Sequence, residues 1–445
     1  MPTRLFFSAT LIAVSFAPAF GQTVQPTVPP SLAVKVGDAV LNLDPPEIEV
    51  FQAADREGNP PEAPQGNKTI GLTPLYDPTR THILGSLFRT FRPETLKVTR
   101  EDGTAYQREV DFTFNEENGT LANKDGRLQG KVKAQAEGAL QRLDLIQLDA
   151  SGKPSVKKGT SVWVCPELPE PDPGHTALAG VYLAPWRTAR NPFYDQNPEA
   201  IAGAGEYAVT EHEIAPIRPA DPVPVVHPER LEKTLARLRA GEPVKIAFMG
   251  DSILLGAEST RWWNDQYDAN SKTWKGRFVH GLRTRFPQAK IEVVEAYRGG
   301  VPIAYAEEKI GEVLAQKPDL VVMSFGVNDA DPGLGKKTPE QFGEALGKLM
   351  DQTRAAGGEF LFVTPFPLIP WVGNGQGERV ERQFLPVMKT TADAHGAALV
   401  DVDAEYRNLN THGIPWWSQN HNWHNHPGDF GHRVYAETAL RGFPQ

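Results

Sequence analysis

The 445-residue chain is long for a single hydrophobic core and points to two domains with ample capacity to bury apolar surface. A formal net charge of −9, with acidic and basic residues interspersed, argues against a phosphate-tracking surface, so nucleic acid is not an expected partner. Cys165 is the single cysteine, which excludes an internal disulfide, and its place in the alternating run Ser161-Val-Trp-Val-Cys165 fits a buried, inert thiol.

In chain order, Met1 to Gly21 carries Arg4, then an apolar stretch from Leu5 to Phe20 and small residues before Gln22. That pattern predicts a signal peptide (1–21) cut near Gly21 and a secreted or periplasmic product. A membrane anchor is the alternative, against which the stretch falls short of the roughly 20 apolar residues needed to span a bilayer. No later segment is long and apolar enough, so no transmembrane segment is expected after cleavage.

Residues 22–216 alternate apolar and polar side chains in short runs, such as Leu96–Thr99, Glu109–Phe114, Leu143–Leu148 and Val162–Val164. Asn118-Gly119, Asp125-Gly126 and Ser151-Gly152 supply turns between them. The reading is a β-rich, sandwich-like domain, either structural or in contact with carbohydrate. Repeated prolines between Ile217 and Pro228 favour an extended linker.

From 229 to 445 the periodicity changes. Leu231, Leu235 and Leu238 are spaced for a helix ahead of the apolar strand Val244–Gly250. Strands are then predicted at 291–295, 320–325, 360–364 and 398–402, and helices at 303–316, 338–354, 379–395 and about 430–440. Strand and helix in alternation imply an α/β fold with a parallel sheet covered on both faces, a three-layer arrangement.

Chemistry gathers at the strand ends. Gly250-Asp-Ser252 places a hydroxyl at the carboxyl edge of the sheet, where open α/β sheets bind ligands. A serine hydroxyl needs a base and donors for an oxyanion. Arg298-Gly-Gly300 follows the second strand, Gly326-Val-Asn-Asp329 follows the third, and His426 precedes the last helix. These four blocks resemble the signature blocks of the SGNH, or GDSL, hydrolase superfamily over about residues 244–440. The resemblance implies a flavodoxin-like domain with Ser252 as nucleophile and backbone oxyanion donor, Gly300 and Asn328 as further oxyanion donors, and His426 as general base. Gly299 is the alternative to Gly300.

The sequence departs from the superfamily at Trp423, where an aspartate three residues before the histidine is the rule. Asn422, Asp401, Asp403 or a backbone carbonyl would then hold the imidazole, or the protein is slow or inactive. His421, His424 and His426 have weak zinc spacing, so neither a metal nor an organic cofactor is expected.

The expected activity is that of a secreted serine esterase acting on short acyl, mainly acetyl, esters of a polysaccharide. Trp416, Trp417 and Trp423 are candidates for a sugar platform or for packing between domains. Acyl transfer or lipid-ester hydrolysis on the same site, and a non-catalytic carbohydrate-binding protein, are the alternatives. The sequence does not fix the oligomeric state.

Overall fold

The computed structural model describes residues 24–26, 32–45, 47–54, 59–65, 69–71, 93–115, 120–163, 166–183, 222–260, 262–368, 375–411 and 425–445. The signal-peptide segment, Asn118-Gly119, Cys165, His421, Asn422, His424 and the tryptophans 416, 417 and 423 lie outside these residues.

The C-terminal region is built on a five-stranded, all-parallel sheet. Its strands are β1 (Val244–Gly250), β2 (Ile291–Tyr297), β3 (Leu320–Ser324), β4 (Glu359–Val363) and β5 (Ala398–Val400). They lie side by side in the order β2-β1-β3-β4-β5. This is the doubly wound order in which the chain leaves β1 in one direction for β2 and crosses back over it to reach β3. The continuous apolar runs of β1 and β3 have no exposed residue, as expected for strands covered by helices on both faces.

The helices predicted at 303–316 and 338–354 run over Ala304–Leu314 and Pro339–Ala355. Thr338 and Gln341 cap the second of these reciprocally, which fixes its start. The segment predicted as one helix at 379–395 is Gln376–Arg379 and Leu385–Ala394, separated by a π-helical turn. β5 stops at Val400, two residues short of the expected end. There Thr364 Oγ1 accepts the Val402 N–H at 2.9 Å and a helix Val402–Thr411 begins, which the sequence reading did not include.

A second helix absent from the sequence reading, Trp274–Arg285, follows β1. Its core face holds Trp274, Phe278, Val279 and Leu282, all fully buried. The helix Asp429–Leu440 packs against it closely enough that a Cβ on Gly281 would lie 2.5 Å from Leu440 Cδ1.

The N-terminal region is antiparallel. The sheet Val24–Pro26, Ala33–Val36, Ala39–Asn42 shares an apolar cluster with the sheet formed by Pro154–Lys157, Arg142–Leu148 and Thr176–Leu183. Val34, Val36, Ile146, Ala179 and Val181 meet there, giving the two-layer, sandwich-like packing that the alternation predicts. Inside it Arg142 is fully buried and makes a two-pronged pair with Asp144, at 2.7 and 3.0 Å.

Candidate active site

Ser252 follows β1 by way of Asp251. Asp251 caps the short helix Ser252–Leu255 by accepting the Ile253 N–H at 2.9 Å, so the capping role belongs to Asp251 and Ser252 is the first helical residue. Gly250 is required immediately upstream. A Cβ there would meet Leu254 Cδ2 at 2.6 Å and the Ser324 carbonyl of β3 at 2.8 Å.

His426 Nε2 stands 2.8 Å from Ser252 Oγ, across 174 residues of sequence. The approach is locked by a second contact between the same two segments, in which the Thr260 N–H donates to Asp429 Oδ1 at 2.7 Å. His432, one turn into the last helix, is fully buried with Nε2 3.4 Å from the Ala257 carbonyl. Burial pushes it down to about 3, so it is neutral and part of the packing.

The two glycines after β2 differ in what they need. Gly300 has φ +72°, a left-handed conformation that favours glycine, while a Cβ on Gly299 would lie 3.9 Å from Ser252 Cβ. The Arg298 N–H donates to the Gly250 carbonyl at 3.2 Å and holds this turn against the end of β1.

Asn328, buried at the start of the turn after β3, joins the other two blocks. Its Nδ2 donates to the Val301 carbonyl at 3.2 Å and to Asp251 Oδ2 at 3.4 Å. Asp329 beside it accepts the Ile303 N–H at 2.9 Å, and Gln376 Nε2 donates to the Val327 carbonyl at 2.7 Å. Ser252, Gly300 and Asn328 are thus brought to one corner at the carboxyl edge, between β1 and β3, where the strand order reverses.

Two carboxyls sit behind that corner. Burial pushes Asp251 up to about 7, against the pull of the Ile253 N–H, and the neighbouring Asp329 adds to the rise. Burial also pushes Asp329 up to about 7, against the pull of the Ile303 N–H, and its Oδ2 has no hydrogen-bond partner among the described residues. The sequence analysis assigns no role to Asp329. The available signal was its place directly after Asn328 in Gly326-Val-Asn-Asp329.

Two candidates for holding the imidazole are occupied elsewhere. Asp401 pairs with Lys389 at 2.5 Å, and Asp403 makes a two-pronged contact with Arg407 at 2.8 and 3.2 Å. Asn422, the remaining side-chain candidate, lies outside the described residues. Among the described residues no helix is long and apolar enough to cross a membrane.

The family model for GDSL-like lipases and acylhydrolases matches residues 248–434. An acetylxylan esterase from Geobacillus stearothermophilus is 25% identical over 218 residues, covering 46% of this chain and 95% of the relative. Among solved structures, an α/β hydrolase enzyme from the metagenome of Lake Arreo, Spain, is 24% identical over 45% of this chain and 94% of its own, with a TM-score of 0.38. A two-domain esterase active on acetylated mannans is 21% identical over 48% of this chain and 52% of its own, with a TM-score of 0.38. With Gly-Asp-Ser, Gly-Val-Asn-Asp and His-Pro falling in order within the matched residues, residues 248–434 carry a GDSL-like lipase/acylhydrolase domain, consistent with the SGNH hydrolase superfamily.

Proposed function

We propose that the protein is an exported serine esterase that removes short acyl groups, acetyl above all, from a polysaccharide. Residues 229–445 form its catalytic domain, residues 22–216 an accessory β domain and residues 217–228 the linker. The reading rests above all on the 2.8 Å approach of Ser252 Oγ to His426 Nε2 beside Asn328.

With the proton of the neutral imidazole on Nδ1, Nε2 accepts the serine proton as Oγ attacks the ester carbonyl. The oxyanion is received by the Ser252 and Gly300 backbone N–H groups and by an Asn328 amide N–H that gives up its long, 3.4 Å contact with Asp251. His426 then returns the proton to the departing sugar oxygen as the C–O bond breaks, leaving an acyl-Ser252. Water attacks that ester with the same imidazole as base and releases the carboxylic acid. Every step uses groups of this chain and water.

The acetylxylan esterase relative supports acetylated carbohydrate as the substrate class. The apolar leader, which lies outside the described residues, supports export, where such polymers are met.

The test is covalent labelling by a fluorophosphonate together with acetate release from a panel of acetylated glycans. Wild type is expected to do both and Ser252→Ala neither, with the fold retained. Turnover of an aryl acetate by Ser252→Ala near the wild-type rate would remove the nucleophile assignment. Aryl acetate hydrolysis without acetate release from any glycan would leave an esterase and remove the glycan.

A further inference from the structure

The loop that leaves the Ser252 helix, residues 256–273, connects the carboxyl end of β1 to the first turn of the helix Trp274–Arg285. In an open α/β sheet such a connection lies on the ligand-binding edge. The loop is fastened at both ends. At its start Gly256 (φ +96°) is packed so tightly that a Cβ would lie 2.3 Å from Thr273 Cγ2 and 3.5 Å from Trp262 Cβ. The Thr260 N–H is held by Asp429, three residues after the base.

At its far end Asp265 accepts from Ser271 Oγ at 2.6 Å and from the Thr273 hydroxyl, and pairs with Lys275 at 3.2 Å. Asp265 and Lys275 are both buried there, with 5% and 3% of their side chains exposed. The Lys275 ammonium also lies 5.3 and 5.1 Å from the ring centroids of Tyr267 and Tyr297.

On this clamped loop Trp263 is 54% exposed, while Trp262 packs edge-on against it at 6.0 Å between centroids. Burying an indole is among the larger apolar gains open to a side chain, and the contacts of Thr260 and Asp265 on either side hold the backbone that carries Trp263. A half-exposed flat apolar face on a backbone held in this way is suited to a flat apolar partner.

We infer that Trp263 is a sugar-stacking subsite, taking the C–H face of a neutral pyranose ring next to the ring that carries the ester. Trp263 is a specificity residue by this account and touches no reacting atom. The inference rests on the glycan esterase reading above, and the experiment separates the two.

The measurement is kcat/KM for an aryl acetate and for a defined acetylated oligosaccharide, in wild type, Trp263→Ala and Trp263→Phe. The ratio of oligosaccharide to aryl acetate kcat/KM is expected to fall about tenfold or more in Trp263→Ala, through KM, and to be largely recovered in Trp263→Phe. On a Ser252→Ala background, titration with the unacetylated oligosaccharide should quench tryptophan fluorescence and show weaker binding after Trp263→Ala.

An unchanged ratio with wild type active on the oligosaccharide overturns the subsite alone. Wild type that hydrolyses the aryl ester but no oligosaccharide overturns the glycan reading and the subsite with it. A shift from oligomer to monomer in Trp263→Ala by light scattering, with the ratio unchanged, assigns the face to a second copy of the chain and overturns the subsite.

Discussion

The Asn328 amide stands 3.4 Å from the carboxyl of Asp251, the residue that delivers Ser252. The group proposed to receive the oxyanion and the turn that carries the proposed nucleophile are therefore joined directly. The second contact of the amide, to the Val301 carbonyl, joins it to the glycine turn.

Asn328→Ala should lower kcat by roughly 10²- to 10³-fold with KM little changed, as loss of one pre-organised donor does. Asp251→Asn should also act on kcat, because an amide nitrogen set against Asn328 Nδ2 offers a donor where an acceptor is needed. Steady-state kinetics on an aryl acetate reads both, and an effect of Asn328→Ala confined to KM would make Asn328 a substrate contact.

Gly299 and Gly300 can be told apart by single methyl additions. Ala at 299 brings a methyl to ordinary contact distance of Ser252 Cβ, whereas Ala at 300 must hold φ +72°. Gly300→Ala should cost more than tenfold in kcat, and Gly299→Ala distinctly less. The reverse order would transfer the backbone donor to Gly299.

The buried carboxyls give stability a defined slope with pH. Asp329 titrates near 7 in the folded chain and near 3.8 in the unfolded chain, so the folded state holds the extra proton between those values. This contribution is fully present below about pH 4 and is lost as pH rises towards about 7. Asp329→Asn removes that dependence while keeping an acceptor for the Ile303 N–H. Urea unfolding at several pH values should show the variant gaining on wild type by roughly 2–4 kcal/mol between pH 4 and 8.

Asp265→Ala should destabilise the chain by about 3–5 kcal/mol, because it leaves the Lys275 ammonium buried without its counter-charge. Lys275→Met should cost less when introduced into Asp265→Ala than into wild type. Denaturant midpoints for the two single variants and the double variant give the coupling directly.

Asp401→Asn and Asp403→Asn should each leave kcat within a few-fold of wild type, since their carboxylates serve Lys389 and Arg407. Removing the acid that orients a catalytic histidine costs about 10⁴-fold, so the two outcomes are far apart.

The parallel sheet was legible because β1 and β3 are buried on both faces and their apolar runs have no competing period. The helix Trp274–Arg285 was not, although Trp274, Phe278 and Leu282 recur at four-residue spacing. Gly276 and Gly281 interrupt it for reasons that only packing supplies. The Asp265 carboxylate occupies the place of a Cβ on Gly276 at 2.4 Å, and Leu440 crowds Gly281. Lys275 on the same face reads as solvent-facing until its partners in the Asp265 loop are in view.

Of the site, Ser252, Asn328 and His426 stood out because each follows a strand or precedes a helix in a distinctive short motif. The Thr260–Asp429 bond did not, since nothing local in either segment refers to the other.

The sequence separation of 174 between Ser252 and His426 also has a kinetic meaning. A contact closed over so long a stretch forms only after the intervening parallel strands have paired, and pairing of that kind is slow. During refolding from denaturant, ester turnover should return later than the helical far-ultraviolet signal. The interval between the two would time the docking of the last helix.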